Sequence, residues 1–194
     1  MGGAVLLQLT DHMGWLAAHF QSMPARTAGF SSVDLGSMSN AGLLVIMILM
    51  FIGASPGSTG GGIKTTTFFV LMQQVRSIFS KRRLGGFHRR LPDGSLSKAA
   101  TIMLMGLMVV GCGTFALCVL EPQLDFGRLL FEQISAYSTA GLSTGITAEL
   151  CPASRVVLIL TMFIGRVGAV TLLSLWVERP APSAQYTEEN ITIG

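Results

Sequence analysis

Charged side chains are scarce in this sequence. Only 12% of its 194 residues are Asp, Glu, Lys or Arg, whereas half are apolar and the mean hydropathy is +0.60. A typical soluble domain carries about 25% charged residues. The composition therefore excludes an ordinary soluble domain and indicates an integral membrane protein.

Residues for common active-site chemistries are also few. Cys112, Cys118 and Cys151 lack the paired spacing of a zinc or redox site, and His12 and His19 have no third metal ligand nearby. The apolar runs contain no carboxylate pair and no nucleophile with a base. We therefore expect a protein that is not an enzyme and has no organic cofactor. No basic stretch precedes the first apolar residues, so we predict no secretory signal.

Three apolar runs are candidates for membrane helices. The clearest covers residues 99–120, flanked by Lys98 and Glu121, and is long enough to cross a hydrocarbon core of roughly 30 Å. A second covers residues 156–177 and is interrupted only by Arg166. A third, residues 41–54, is too short to cross and leads into the glycine-rich string "SPGSTGGGIK". Beside two full spans, this short run predicts a broken membrane helix rather than a soluble core helix.

Basic residues gather in the connection between the broken helix and the span 99–120. They are Arg76, Lys81, Arg82, Arg83, Arg89, Arg90 and Lys98. Such a run retains a loop in the cytoplasm, which predicts that the connection is cytoplasmic. A nucleic-acid patch is the alternative, but the run lies beside a span and lacks interleaved aromatics, so we expect no nucleic-acid partner.

An internal repeat divides the chain. A shift of 112 positions places Thr27, Ala28, Gly29 and Ser31 on Thr139, Ala140, Gly141 and Ser143. The same shift places "MFIG" at residues 50–53 on "MFIG" at residues 162–165, and Gln21 on Gln133. Repeated units are a common way of building transport pathways. Each unit predicts a short amphipathic helix, a Thr-Ala-Gly turn and a membrane helix.

The helices before the two turns are too short to cross a bilayer. They are "HMGWLAAHFQSMPA" and "FGRLLFEQISAYS", and we interpret both as re-entrant pore helices. Non-helical backbone at membrane depth is tolerated only where protein or a water-filled cavity satisfies its amides. Glycine frees the backbone so that carbonyl oxygens can replace the hydration shell of a monovalent cation. The turns therefore predict a cation path, and both should face outward. We expect acidic residues near the outer mouth to concentrate cations: Asp11, Asp34, Glu121, Asp125, Glu132 and Glu149.

The order of these motifs resembles one known family. A pore helix, T-A-G-F/L-S, a membrane helix, "GASPGSTGGGIKTT" and a second such unit are similar to the Trk, Ktr and HKT superfamily of potassium uptake, and within it to the KtrB-type subunit. Members have four units of membrane helix, pore helix and membrane helix around one cation path. The resemblance implies that this chain is the third unit, lacking most of its first helix, and the fourth.

The resemblance also implies roles for individual residues. Main-chain oxygens of two turns would form two of four walls of a potassium filter, and these filter residues would be the only metal site: Thr27, Ala28, Gly29, Phe30, Thr139, Ala140, Gly141 and Leu142. A glycine-rich loop at residues 55–64 would be a gate below the filter, with these residues: Gly57, Ser58, Thr59, Gly60, Gly61, Gly62 and Lys64. Arg166 matches an arginine that faces this loop in relatives.

The residues themselves support the gate interpretation. The glycines prevent a stable helix, and the neighbouring hydroxyls can satisfy freed backbone groups. A phosphate-binding loop is the alternative, but Ile63 separates Gly62 from Lys64 and no strand precedes the loop. A cationic residue in mid-span costs about 2.5–3.5 kcal/mol, so Arg166 is expected to face protein or water, or to reach a surface. It could repel cations or bind gate carbonyls, and the sequence leaves both open.

These expectations define an all-α integral membrane protein of repeated pore units with a broken helix. The third pore unit is residues 1–75, the basic cytoplasmic loop 76–98, the fourth unit 99–177 and a cytoplasmic tail 178–194. We expect potassium uptake across the plasma membrane, with sodium as a second possible ion. The alternative is a non-conducting truncated product or an assembly partner. The resemblance implies further pore units or another chain, a homodimer and a cytoplasmic nucleotide-binding ring as partners.

Overall fold

The chain folds as a bundle of α-helices. The computed structural model describes residues 2–26, 28–53, 55–58, 60–80, 85–86, 89–90 and 94–168. Its α-helices in this part of the chain are α1 Gly2–Asp11, α2 Trp15–Ser22, α3 Asn40–Phe51, α4 Thr65–Ser80, α5 Ser95–Leu120, α6 Phe126–Ser138 and α7 Pro152–Val167. Short 3-10 turns lie at Pro24–Arg26, Leu35–Ser37 and Ile146–Ala148.

In the part of the chain that the structure describes, the β-strands lie in the basic connection. Two strands of two residues each, β1 (Gly85–Gly86) and β2 (Arg89–Arg90), pair antiparallel there. This small hairpin does not alter the class of the fold. The prediction of an all-α membrane protein is confirmed.

Helix α5 is the membrane span that the sequence predicts most clearly. It has 26 residues, from Ser95 to Leu120, and at about 1.5 Å per residue it is long enough to cross a bilayer. Within the described residues it is the one helix that is both long and apolar enough to do so. It begins before the predicted span, so that Lys98 lies in its first turn instead of preceding it.

Helices α3 and α4 form the broken segment. Ser39 caps α3 by accepting a hydrogen bond from the backbone of Gly42, and α3 ends at Phe51 where the glycine-rich string begins. Helix α4 then runs from Thr65 to Ser80. The structure thus has the helix, loop and helix expected of a broken span, and Arg76 lies within α4 rather than in a loop.

Helix α7 differs from the prediction. It begins at Pro152, where Cys151 caps its first turn, and it ends at Val167 because Gly168 has φ 90° and leaves the helical path. The helix therefore agrees with the predicted span 156–177 up to Val167 and ends within it. Residues 169–177 and the predicted tail 178–194 lie outside the described residues. Arg166 is in the last turn of α7, not in mid-helix.

The helices pack as two units that match the internal repeat. Helix α1 contacts α2 and α3, and in the second unit α5, α6 and α7 contact one another. The units meet where α3 packs against α6 and α4 against α5. One apolar cluster crosses this boundary and includes Ile46, Met50, Phe131 and Tyr137. The two pore helices are thereby held on opposite sides of one interface.

Large apolar side chains remain exposed on the outside of this bundle. On α5 they include Leu104, Met108 and Phe115, and on α7 Ile159 and Phe163. Lipid tails are as apolar as leucine, so an exposed apolar surface costs nothing in a bilayer. This surface is that of a membrane protein.

Candidate functional site: two glycine turns and a glycine-rich loop

The described residues of the two Thr-Ala-Gly turns lie against each other. We call residues 27–30 the first filter turn and residues 139–142 the second filter turn. Gly29 and Gly141 have φ 74° and 80°, in the left-handed region that favours glycine. A Cβ atom on Gly141 would lie 3.2 Å from the Cα of Gly29. A Cβ on Gly29 would lie 3.2 Å from the carbonyl oxygen of Ala140. The structure therefore brings the predicted filter glycines together.

The second filter turn is firmly tied to its pore helix. Thr139 ends α6 with φ 52°, an uncommon value for a β-branched residue, and its N–H donates to the Ala136 carbonyl. The N–H of Ala140 donates to the Ser135 carbonyl at 3.0 Å. Ser135 Oγ donates in turn to the carbonyl of Leu142 at 2.5 Å. Ala140 and Leu142 are buried, whereas Gly141 is exposed on the side that faces the first turn.

Over its described residues, the first filter turn has fewer hydrogen bonds to its pore helix than the second. Thr27 lies outside the described residues, and the N–H of Ala28 donates to the Pro24 carbonyl at 3.1 Å. Ala28, Gly29 and Phe30 are all exposed. Ser31 Oγ donates to the Val33 carbonyl and, at 3.3 Å, to the side-chain oxygen of the buried Gln21.

A short parallel bridge closes the base of the glycine-rich loop. The N–H of Gly53 donates to the Ile63 carbonyl at 2.8 Å, and the N–H of Ile63 donates to the Phe51 carbonyl at 3.2 Å. Within the loop, Gly57 and Gly62 have φ 84° and 73°. These bonds satisfy backbone groups freed by the break between α3 and α4. Thr59 and Ala54 lie outside the described residues.

Lys64 and Thr139 hold the loop in place. The Lys64 ammonium donates to the carbonyl of Ser58 at 3.0 Å and also to that of Gly60. The N–H of Gly61 donates to Thr139 Oγ1 at 3.0 Å, which links the loop to the second filter turn. Gly60 and Gly61 are buried. Among the gate and filter residues that the structure describes, Gly61 is thus the gate residue that forms a hydrogen bond with a predicted filter residue.

The arginine predicted to face the loop follows a residue that packs against the loop, but it forms no hydrogen bond with the described loop residues. A Cβ on Gly61 would lie 3.1 Å from the Gly165 carbonyl, so the residue before Arg166 is against the loop. The Arg166 side chain is exposed, and it has no hydrogen bond to the part of the chain that the structure describes. Its role therefore stays a prediction.

The glycines of the repeated "MFIG" motif are sites of close packing. A Cβ on Gly53 would lie 2.5 Å from the Gly61 carbonyl, and one on Gly165 would overlap the Tyr137 carbonyl. Both contacts are with backbone that cannot move aside easily. The motif repeats because each unit brings its last helix against the region of the turns.

Two of the acidic residues expected at the outer mouth are buried instead. Glu121 and Glu132 are only 3% and 5% exposed, since each carboxylate accepts hydrogen bonds from within the protein. Asp34 and Asp125 bond to the first backbone amides of short helical segments. The expectation of a solvent-facing role is therefore wrong for Glu121 and Glu132.

Sequence reasoning assigned Glu132 to the outer mouth and missed its contacts with the segment after the second filter turn. Its carboxylate accepts hydrogen bonds from Ser143 Oγ at 2.5 Å, from the N–H of Thr144 at 3.0 Å and from Thr147 Oγ1 at 2.9 Å. It lines a cavity of about 310 Å³ together with Thr139, Gly141 and Ser143. The signal in the sequence was a carboxylate on the otherwise apolar side of a pore helix.

Fold and site together define a membrane protein of repeated units, with two glycine turns in contact and a helix broken by a glycine-rich loop. The family model described as TrkH, cation transport protein, matches residues 1–188. The chain belongs to this family of transport proteins.

Individual relatives agree with the family. The chain is 38% identical over 188 residues to a Ktr system potassium uptake protein B of Vibrio alginolyticus, covering 96% of this chain and 41% of the relative. It is 35% identical over 212 residues to the potassium/sodium uptake protein NtpJ of Enterococcus hirae, covering all of this chain and 47% of the relative. The chain thus spans less than half the length of these relatives.

A solved structure has the same fold. It is the potassium transporter TrkH of Vibrio parahaemolyticus, with a TM-score of 0.72 and 21% sequence identity. The match covers 91% of this chain and 41% of that one. At this identity the likeness establishes the fold alone.

Proposed function

We propose that this chain supplies two walls of a filter for potassium uptake across the plasma membrane. The observation that carries the proposal is the direct opposition of Gly29 and Gly141. Both glycines have positive φ, which lets main-chain oxygens of the turns point toward a common axis. Potassium would bind through the residues of the two filter turns.

Two walls cannot surround an ion. The repeat has two units, whereas relatives are more than twice as long as the chain. We propose that two further pore units complete the ring, either in the same polypeptide or in another chain. We use the term transport-competent assembly for this chain together with those units. Homodimerisation and a cytoplasmic nucleotide-binding ring are further proposals that follow from the resemblance to KtrB-type subunits.

Within this assembly we propose residues 1–75 as the third pore unit and 99–177 as the fourth. The basic segment 76–98 between them is proposed to be cytoplasmic, and the tail 178–194 likewise. The glycine-rich loop at 55–64 would be the gate, because it forms a hydrogen bond with Thr139, the first residue of the second filter turn. Arg166 would act on the same loop.

The names of relatives point to potassium first, but they do not exclude sodium. One is a potassium uptake protein and another a potassium/sodium uptake protein. A filter turn with one glycine is expected to discriminate less strictly than a filter in which more carbonyls are aligned. We therefore propose potassium as the preferred ion and sodium as a weaker one.

Rubidium uptake into proteoliposomes tests this function. The transport-competent assembly should take up rubidium, and external potassium should compete better than sodium. Uptake that neither ion reduces would contradict the proposal. Orientation is tested separately in intact cells with Ser95→Cys at the start of α5. A membrane-impermeant thiol reagent added outside should leave this cysteine unlabelled, whereas labelling would place the basic segment outside.

A further inference from the structure

We propose that Glu132 is a positioning residue for the second filter turn and that it sets the selectivity of the filter. The inference rests on the proposed function. Glu132 lies in α6, is only 5% exposed, and its carboxylate accepts hydrogen bonds from the segment that follows the turn. Its effect on an ion would therefore be indirect, through the chain segment that it holds.

Donor groups of three residues after the turn, Ser143, Thr144 and Thr147, converge on this carboxylate. Oε1 accepts from Ser143 Oγ and from the Thr144 N–H, with Thr144 Oγ1 also 3.5 Å away. Oε2 accepts from Thr147 Oγ1. A buried carboxylate needs such donors to offset its lost hydration, so these groups are held where the carboxylate requires them. Residues 143–147 are thus fixed to the pore helix by one side chain.

The preceding residue is fixed by the same helix. Ser135, three residues after Glu132, donates to the carbonyl of Leu142, the last residue of the second filter turn. Two side chains of α6 therefore hold the C-terminal end of the turn, and backbone hydrogen bonds from Thr139 and Ala140 hold its N-terminal end. Removal of the Glu132 carboxylate would release the C-terminal end of the turn, while its N-terminal end stays in place.

Among the described residues of the first filter turn and its pore helix, no carboxylate has an equivalent position. The repeat places Phe20 at the position of Glu132, and Phe20 is 46% exposed. Ser31, the counterpart of Ser143, reaches only Gln21 and its own segment. Gln133, the counterpart of Gln21, bonds to Thr161 of α7 instead of the turn. The carboxylate brace is therefore a property of the second wall, and it makes the two walls differ in rigidity.

Substitutions that keep or remove acceptor oxygens test the proposal. Glu132→Gln keeps one acceptor, and Glu132→Leu keeps none at similar size. We measure uptake of rubidium and sodium by the transport-competent assembly, normalised to the amount of assembled protein. The rubidium-to-sodium ratio should fall in the order Glu, Gln, Leu, by ~10-fold for Leu, because several charge-assisted hydrogen bonds are lost. Glu149→Gln is the matched control, since Glu149 is exposed and its loss would change the rates of both ions alike.

Three outcomes decide the matter. A graded loss with a parental ratio in Glu149→Gln supports the proposal. An equal loss for Gln and Leu would overturn it, because the charge and not the brace would then matter. A parental ratio for Leu would also overturn it. If Glu132→Leu does not assemble, Thr147→Val and Ser143→Ala remove single donors, and parental ratios in both would count against the brace.

One more variant separates this inference from the proposed function. Gly141→Ser alters the second filter turn itself. If it lowers the ratio while the Glu132 variants do not, the filter stands and the positioning role is wrong. If neither changes the ratio, the filter assignment fails as well.

Discussion

The backbone N–H of Gly61 donates a hydrogen bond to Oγ1 of Thr139 at 3.0 Å. Gly61 belongs to the glycine-rich loop, and Thr139 ends the pore helix at the start of the second filter turn. One bond thus joins the proposed gate to the proposed filter. A movement of the loop must break this bond or displace the threonine.

The first prediction follows from this bond. Thr139→Val removes the acceptor with little change of shape, so the amide of Gly61 should lose protection against hydrogen exchange. A net hydrogen bond of about 1 kcal/mol corresponds to roughly fivefold faster exchange. Thr139→Ser retains the hydroxyl and is the control. Equal exchange in the Val and Ser variants, measured by mass spectrometry of loop peptides, would show that the bond does not hold the loop.

The second prediction concerns Lys64, which bonds to two carbonyls of its own loop. Lys64→Met removes both bonds and keeps an unbranched side chain. If the loop obstructs the path, freeing it should raise rubidium uptake several-fold in the transport-competent assembly. Lys98→Met is the control, since Lys98 is an exposed lysine in the first turn of α5. Unchanged or slower uptake in correctly inserted Lys64→Met would argue against obstruction.

Arg166 is tested in the same assay. Arg166 has an exposed side chain and directly follows Gly165, whose carbonyl packs against the loop. If the charge helps to close the path, Arg166→Ala should also raise uptake, and Arg166→Lys should restore part of the closure. Equal uptake in the parental protein and in Arg166→Ala would leave the arginine without a gating role.

The sequence predicted the parts of this fold that depend on local pattern. Helix α5 has a long uninterrupted apolar run, and the pore helix α6 is bounded by Asp125 at its start and the Thr-Ala-Gly turn at its end. The pairing of Gly29 with Gly141 could be predicted from the sequence because the internal repeat relates the two glycines. Each of these features is periodic or repeated, and both kinds of pattern can be seen in one sequence.

Features that depend on contacts through space were not predictable in the same way. Nothing in the sequence pattern pairs Glu132 with Thr147, since their hydrogen bond exists only after the turn folds back on α6. The end of α7 was also missed, because the apolar residues continue past Gly168 and only its positive φ marks the end. The repeat relates Glu132 to Phe20, but it could not reveal which groups the Glu132 carboxylate contacts.

The third prediction concerns the close contact of Gly165 with Tyr137. A Cβ at Gly165 would overlap the Tyr137 carbonyl, so Gly165→Ala should destabilise the protein by about 1–3 kcal/mol. Gly111→Ala in α5 is the matched control, because a Cβ there has nothing within 4 Å and alanine favours the helix. Thermal unfolding in detergent measures both. Similar midpoints for the two variants would contradict the packing described for α7.

The fourth prediction concerns a carboxylate at the end of each unit's first helix. Glu121 accepts from the N–H of Cys151 at 2.6 Å and from Ser154 Oγ at 3.0 Å, at the start of α7. Asp11 accepts from the N–H of Ser39 at 2.7 Å, at the start of α3. Ser39 and Cys151 are repeat counterparts, so both units are closed by the same kind of bond.

These bonds make stability depend on pH. Hydrogen bonds from Cys151 hold the pKa of Glu121 below its ordinary value of 4.5. A lowered carboxyl pKa adds stability that is present above the ordinary value and is lost as the pH falls through the lowered one. The unfolding midpoint of the parental protein should therefore fall more steeply below pH 4.5 than that of Glu121→Gln. Parallel curves for the two proteins would remove Glu121 from this role.

The central claim is that the two turns line one cation path, and paired serine substitutions test it most directly. Gly29→Ser and Gly141→Ser each place a side chain at a positive φ and against the opposing turn, at a strain of about 1–3 kcal/mol. The measurement is the rubidium-to-sodium uptake ratio of each variant in the transport-competent assembly. Both variants should lower the ratio with assembly largely intact, because both glycines face the same axis. A parental ratio for Gly29→Ser beside a lowered one for Gly141→Ser would contradict the two-wall account.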